Sequence, residues 1–267
     1  LVVLLGNFER RGAAMNKRAK YKNCPLVEVI FQLRFPTILS INTKQPAEFQ
    51  EKIRRDYPYY DEGIEEQNEL LLNANGKAAQ VKTNQNKNYS FISIDETYKV
   101  NLTSTFIAIS TRKYTQWEEF SVKVEQVVKA FQEVYEVPFY TRIGLRYIDV
   151  IQRSVLNLTS EKWSDLIKPH VLGIVTQFED GMNSYMSQAE FKDAADGVWT
   201  KTHFELVNVN NNTENSLLID CDYFKPETTK TDMMMDVANM LHEHSSSFLM
   251  TAITEKLDKA MEPEELV

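Results

Sequence analysis

Cysteine, glycine and histidine are all scarce, at 2, 8 and 4 residues in 267. Cys24 and Cys221 stand far apart and make no CxxC or Cys/His ligand spacing, which reads as two free thiols in a reducing cytosol. None of the glycines falls in GxGxxG, GxxxxGKS/T or GxSxG order, so Rossmann, P-loop and hydrolase-elbow chemistry find no support. His242 and His244 flank Glu243 on a helical run. Two residues of separation is not the spacing that lets two imidazoles share one metal, and a solvated helix surface is expected for both. His170 and His203 read as structural. No metal and no cofactor are expected.

Long apolar runs are also missing. Nothing approaches the roughly 18 residues needed to cross a bilayer, and the opening LVVLL is too short for a signal-peptide core and lacks a basic region before it. The expectation is a cytoplasmic protein with no membrane partner. Positive charge is in deficit, 30 Lys and Arg against 38 Asp and Glu for a net charge of -8. That disfavours broad binding to nucleic acid, leaving at most a local basic patch at Arg54 and Arg55.

What is present is alternation. Arg142 to Ile151, RIGLRYIDVI, puts Ile143, Leu145, Tyr147 and Ile151 on one face and Arg142, Gly144, Arg146 and Ile148 on the other, the period of a strand. Pro25 to Phe35 alternates likewise, with Val27, Val29, Phe31, Leu33 and Phe35 on one side and Leu26, Glu28, Ile30, Gln32 and Arg34 on the other. Pro46 opens a short helix, AEFQEKIRRDY. Strands are expected at roughly 68 to 73, 78 to 83 and 89 to 95, punctuated by NANGK and NQNKN, and β structure over Tyr98 to Ser110. Thr115 and Glu118 suggest a capping box for a helix striped by Trp117, Phe120, Val124, Val127, Val128, Phe131, Val134 and Tyr135, ended by Pro138.

After RIGLRYIDVI the plan repeats. A short amphipathic segment, SEKWSDLI, is followed by strand-like runs VLGIVTQFE, MNSYMSQAEF, WTKTHFELVNV and SLLIDCDYF. A long helix is expected from about 231 to 259, with Ser245 to Ser247 as its weak point and a frayed acidic tail beyond it. The fold expected is α+β: two similar units, each a mainly antiparallel sheet covered by a long helix, a helix-on-sheet plan of SecB-like or helix-grip-like type. The division runs as a poorly structured segment 1–24, of which 1–14 reads as upstream of the native start, a first unit 25–140 and a second 141–267, packed as one body.

The blocks PLVEVIFQLRFP, FIAIST followed by WEEF, and TRIGLRYID resemble those of a sporadically distributed family of bacterial conserved-hypothetical proteins, over roughly 25–149. The resemblance implies a cytoplasmic bacterial protein with the scattered occurrence of defence, toxin-linked or mobile-element genes. It implies no catalytic residues.

Two functional readings follow from the residues. The first is a non-catalytic interaction protein, accessory, antitoxin-like or chaperone-like, whose partner is another bacterial protein or a second copy. Tyr57, Tyr59 and Tyr60 in the YPYYDE segment, read as a loop, are its candidate contacts. The second is a binder of a small anionic ligand, or an enzyme, with a pocket between sheet and helix. Here Arg142 and Arg146, with Arg34, grip the anion and Glu28 serves as acid or base. Against this stands the commoner outcome for such side chains, a structural ion pair between Glu28 and an arginine or a strand face open to water.

Overall fold

The computed structural model describes residues 19–72, 78–209 and 214–265. Two short-period segments lie at its centre. Leu26–Arg34 (β2) and Arg142–Ile151 (β8) pair antiparallel, with Phe31 opposite Leu145 and Leu33 opposite Ile143. Around them the chain adds Ala19–Tyr21 (β1), Leu39–Thr43 (α1), Ala47–Ile53 (α2), Tyr59–Leu72 (β3), Ala78–Ile92 (β4), Tyr98–Leu102 (β5), Phe106–Thr111 (β6), Trp117–Tyr135 (α3) and Phe139–Tyr140 (β7). Beyond β8 come Trp163–Leu166 (α4), Pro169–Leu172 (α5), Val175–Phe178 (α6), Met186–Lys192 (β9), Trp199–Val209 (β10), Glu214–Lys225 (β11), Thr229–Lys230 (β12), Met234–Ala252 (α7), Glu255–Ala260 (α8) and Pro263–Glu265 (β13).

Nine of these strands form one antiparallel sheet in the order β3-β4-β5-β6-β2-β8-β11-β10-β9. In the first half β2 leads through short helices into a meander whose last strand, β6, returns to β2. In the second, β8 leads through short helices into a meander whose last strand, β11, returns to β8. A 19-residue helix follows each meander.

Side-chain alternation divides the sheet into two faces. Val29, Phe31, Leu33, Ile107, Ile109, Val100, Leu102, Ile143, Leu145 and Ile219 are buried on one. Against it pack Phe49, which meets Phe91 edge-on, and Phe120 of α3, which stacks on Tyr98. The opposite face carries Arg34, Lys99, Arg146 and Lys201, all exposed. The helices thus bury the apolar set and leave the charged set near water, the usual division for an antiparallel sheet.

Several local expectations are corrected. β3 and β4 are 14 and 15 residues long, so NQNKN lies inside a strand; the NANGK segment at 73–77 is outside the described residues. Tyr98 to Ser110 is two strands separated by Thr103 to Thr105, because the Thr103 hydroxyl accepts the N–H groups of Thr105 and Phe106 and turns the chain. The run at 171–179 is helical, not extended; Val171, Leu172 and Val175 are buried beside Trp163 and Leu166. A bulge between Leu26 and Glu28 moves Val27 off the core face and leaves it exposed. The capping box expected from Thr115 and Glu118 does not form: Gln116 is the N-cap of α3 without a side-chain cap, and the Thr115 hydroxyl donates to the Glu119 carboxylate at 2.6 Å.

The ends are corrected as well. Ala19–Tyr21 pairs with Pro263–Glu265, and Tyr21 donates to Asp258 at 2.7 Å, so neither residues 19–24 nor the whole acidic tail is loose. Residues 1–18, and with them the expectation for 1–14, lie outside the described residues. The weak point of the last helix is Ile253 and Thr254. The hydroxyls of Ser245, Ser246 and Ser247 bond back to carbonyls one turn earlier and leave α7 continuous.

Candidate functional site

β3 is the outer strand of the sheet, and β5 pairs with only Tyr89 to Ile92 of β4. The β3–β4 ribbon therefore runs on past its neighbour as a two-stranded arm. At its base Tyr59, Tyr60 and Ile64 are 53%, 40% and 66% exposed. Tyr60 lies within 6.3 Å of Tyr89 and 5.7 Å of Phe91, ring to ring, and donates to Glu62 at 3.0 Å. Partial burial, with Glu62 beside it, pushes its phenol up to about 12. Glu62 in turn pairs with Lys87 across the ribbon at 2.9 Å. The result is an amphipathic strand edge with fixed aromatics and its own hydrogen-bonding groups facing outward.

Tyr59 and Tyr60 thus sit at a surface, but on a strand rather than in a loop. Tyr57 does not join them. It is 4% exposed and part of the core, and burial is what raises its phenol pKa.

The charged residues of the central strands come together on the opposite sheet face, with partners that the sequence reading did not name. Arg142 Nη2 reaches Asp222 Oδ2 at 2.7 Å, and its guanidinium lies 4.3 Å from the centre of the Phe224 ring. Arg146 forks onto Asp220, Nε to Oδ1 at 2.7 Å and Nη2 to Oδ2 at 2.5 Å. Arg34 Nε donates to Gln32 at 3.1 Å. The expected Glu28 pairing is therefore corrected: the arginines are held by Asp220 and Asp222 of β11. Glu28 adds only a more distant charge, the weakest of those that raise the Arg146 pKa. These aspartates face the arginines because Asp222 stands opposite Arg146 and Asp220 opposite Ile148, a register that no local pattern reveals.

No family model matches the chain, and no curated protein matches it. The geometry carries the reading alone.

On the covered face, polar groups collect where α3 and α7 meet over β8. Trp117 donates to Asn239 at 2.7 Å and stacks on His242 at 5.0 Å; Tyr147 bonds His242 Nδ1 at 2.9 Å. His244 packs edge-on to Tyr223. The expected solvated surface for these histidines is wrong, because α7 lies against β8 and β11 and turns both rings inward.

Asp149 stands at an odd position of β8, which places it on the apolar face opposite Ile219. It is buried beside Leu26 and Ile219, and burial alone pushes its carboxyl up to about 7. Cys221, two residues along the neighbouring strand, is pushed up to about 12 by burial. Hollows open at the surface of the described residues. One of about 530 Å³ is lined by Gln50, Glu51, Arg54, Arg55 and Pro58, and one of about 370 Å³ lies around Cys24, Val27, Val150 and Val155. Arg54 is paired with Glu51 at 2.9 Å.

Proposed function

We propose that this chain is a non-catalytic interaction protein, of the accessory, antitoxin-like or chaperone-like kind found in the bacterial cytosol, and that it receives an extended strand of a partner protein along β3. The observation that carries this is the outer edge of β3, a 14-residue strand whose base exposes Tyr59, Tyr60 and Ile64. An edge of that length gives main-chain hydrogen bonds to an added strand, and the aromatics give it side-chain selectivity. The shared order of strand, short helices, returning meander and long helix in the two halves supports reading them as a repeat of one helix-on-sheet unit.

The alternative, a small anionic ligand gripped by Arg142 and Arg146 with Glu28 as acid or base, is disfavoured by the ion pairs. Such a ligand has to displace Asp222 from Arg142 and Asp220 from Arg146.

The test is purification of the full chain from its native host, alongside Tyr59→Lys/Ile64→Lys and, on the other outer strand, Met186→Lys. The expected result is a stoichiometric protein partner lost at least tenfold in the β3 variant and kept in the β9 variant. A chain that purifies alone and monomeric, or a partner indifferent to β3, overturns the proposal.

A further inference from the structure

The turn between β9 and β10 and the second half of α7 bring two carboxylates and an imidazole to one place. Asp193, Asp196 and His244 each offer a ligand atom, all within 4.8 Å of one another. Asp196 Oδ2 stands 3.1 Å from His244 Nδ1. The other ring nitrogen, Nε2, is 3.2 Å from Thr200 Oγ1, and Thr200 is fully buried on β10. A hydroxyl fixed behind the ring in this way sets the imidazole plane, which is how proteins aim a ligating histidine. The carboxylates are aimed as well. Asp193 Oδ1 accepts the Ala195 N–H at 2.7 Å, and Asp196 Oδ1 accepts the Val198 N–H at 2.9 Å, which turns Asp196 Oδ2 toward the ring.

We propose that Asp193, Asp196 and His244 form a three-ligand site for one divalent transition-metal ion of the zinc, cobalt or manganese class, distinct from the β3 edge. Imidazole with carboxylates suits these ions better than calcium or magnesium, which prefer oxygen donors alone. With donors about 2.1 Å from zinc, a 3.1 Å separation between two of them corresponds to an angle of about 95° at the ion, within the range that such sites adopt. The Asp196 and His244 atoms therefore need little movement, and Asp193, within 4.8 Å of them on the same turn, completes the set by closing to no more than about 4.2 Å.

Charge is consistent with a cation. Two ammonium groups lie at the same turn: Lys225 donates to the Asp196 carbonyl at 2.5 Å, and Lys192 is turned to the Glu227 carboxylate at 3.6 Å and the Trp199 ring, which among the described residues leaves the two carboxylates without a side-chain ammonium bonded to them. In the metal-free chain Nδ1 faces Asp196 and Nε2 faces the Thr200 hydroxyl. On binding, Nδ1 gives its lone pair to the ion, the ring N–H stands at Nε2, and the Thr200 hydroxyl accepts it. The remaining coordination positions go to water, and the ion ties the β9–β10 turn to α7.

The experiment uses the full chain without a polyhistidine tag, freed of metal by chelator. It is titrated with cobalt chloride by visible absorbance and calorimetry, and melted with and without zinc chloride. Expected are one ion per chain and a raised melting midpoint. Asp193→Asn keeps an oxygen for the Ala195 N–H, so the metal-free chain should melt as the wild type does while affinity falls at least about tenfold. His244→Gln should abolish the cobalt band. Absence of one-ion binding to the wild type, or binding that Asp193→Asn leaves unchanged, shows that the three residues are only a hydrogen-bonded latch and overturns the proposal. Because Asp193→Asn spares the helix contact, the result stands even if His244→Gln fails to fold.

Discussion

Asp149 shows how a single residue sets a condition on the whole fold. Its carboxyl ionises near pH 4 in the unfolded chain but is pushed up to about 7 in the folded one. Between those values the folded state holds the proton and the unfolded state does not, so stability falls as pH rises from about 4 to about 7 and levels off above. The full effect is on the order of a few kcal/mol. Urea melts of the wild type and Asp149→Asn across pH 4 to 8 check this: the difference between them should shift in favour of the variant up to about pH 7 and then stay constant. A difference that does not vary with pH places the ionised carboxylate in an environment as good as water. The alternation of RIGLRYIDVI put Asp149 on the apolar face in plain view. What the sequence could not show was that β2 and β11 flank it with Leu26 and Ile219, because those neighbours come from opposite ends of the chain.

Elements were legible where their periodicity was local. β2, β8 and α3 follow from spacing alone, since each buries one face against a single layer. The run at 171–179 misled because short apolar stretches do not distinguish a buried helical turn from a strand. The end of α7 misled for a different reason. Serines in mid-helix suggested a break, but their hydroxyls found carbonyls within the helix. The break came where Thr254 has partners elsewhere: it donates to the carbonyls of Asp165 and Leu166 at 2.8 and 3.1 Å and caps α8 by accepting the Leu257 N–H at 3.4 Å. Thr254→Ala should therefore cost about 1 to 2 kcal/mol in denaturant unfolding, with Thr254→Ser close to wild type. A serine variant as unstable as alanine places the effect in the lost methyl group instead. Gly144 plays a similar part on the open face. A Cβ there would meet Arg142 Nη1 at 2.2 Å, so the bare backbone is what lets that guanidinium cross to Asp222.

Across the whole molecule the two halves share one sheet rather than owning one each, a point that element order left open. The β2–β8 seam runs from Arg34 opposite Arg142 to Leu26 opposite Asp149 with one bulge at Val27, and Trp117 on α3 meets His242 on α7 above it. Neither half can lose its strands without exposing the other's core, so calorimetric unfolding should show one transition with matching calorimetric and van't Hoff enthalpies. Two resolved transitions mean that the seam is weaker than its packing.

The seam also imposes an order of events at the ribosome. Synthesis delivers β2 through β6 and α3 before any of β8, so the first half can assemble its five strands while β2 stands as a bare margin, lined by Phe31 and Leu33, waiting for residues more than a hundred positions downstream. Until they emerge, the nascent chain has two adhesive borders, β3 and β2. β8 then closes β2, while among the described residues no strand pairs with the outer edge of β3.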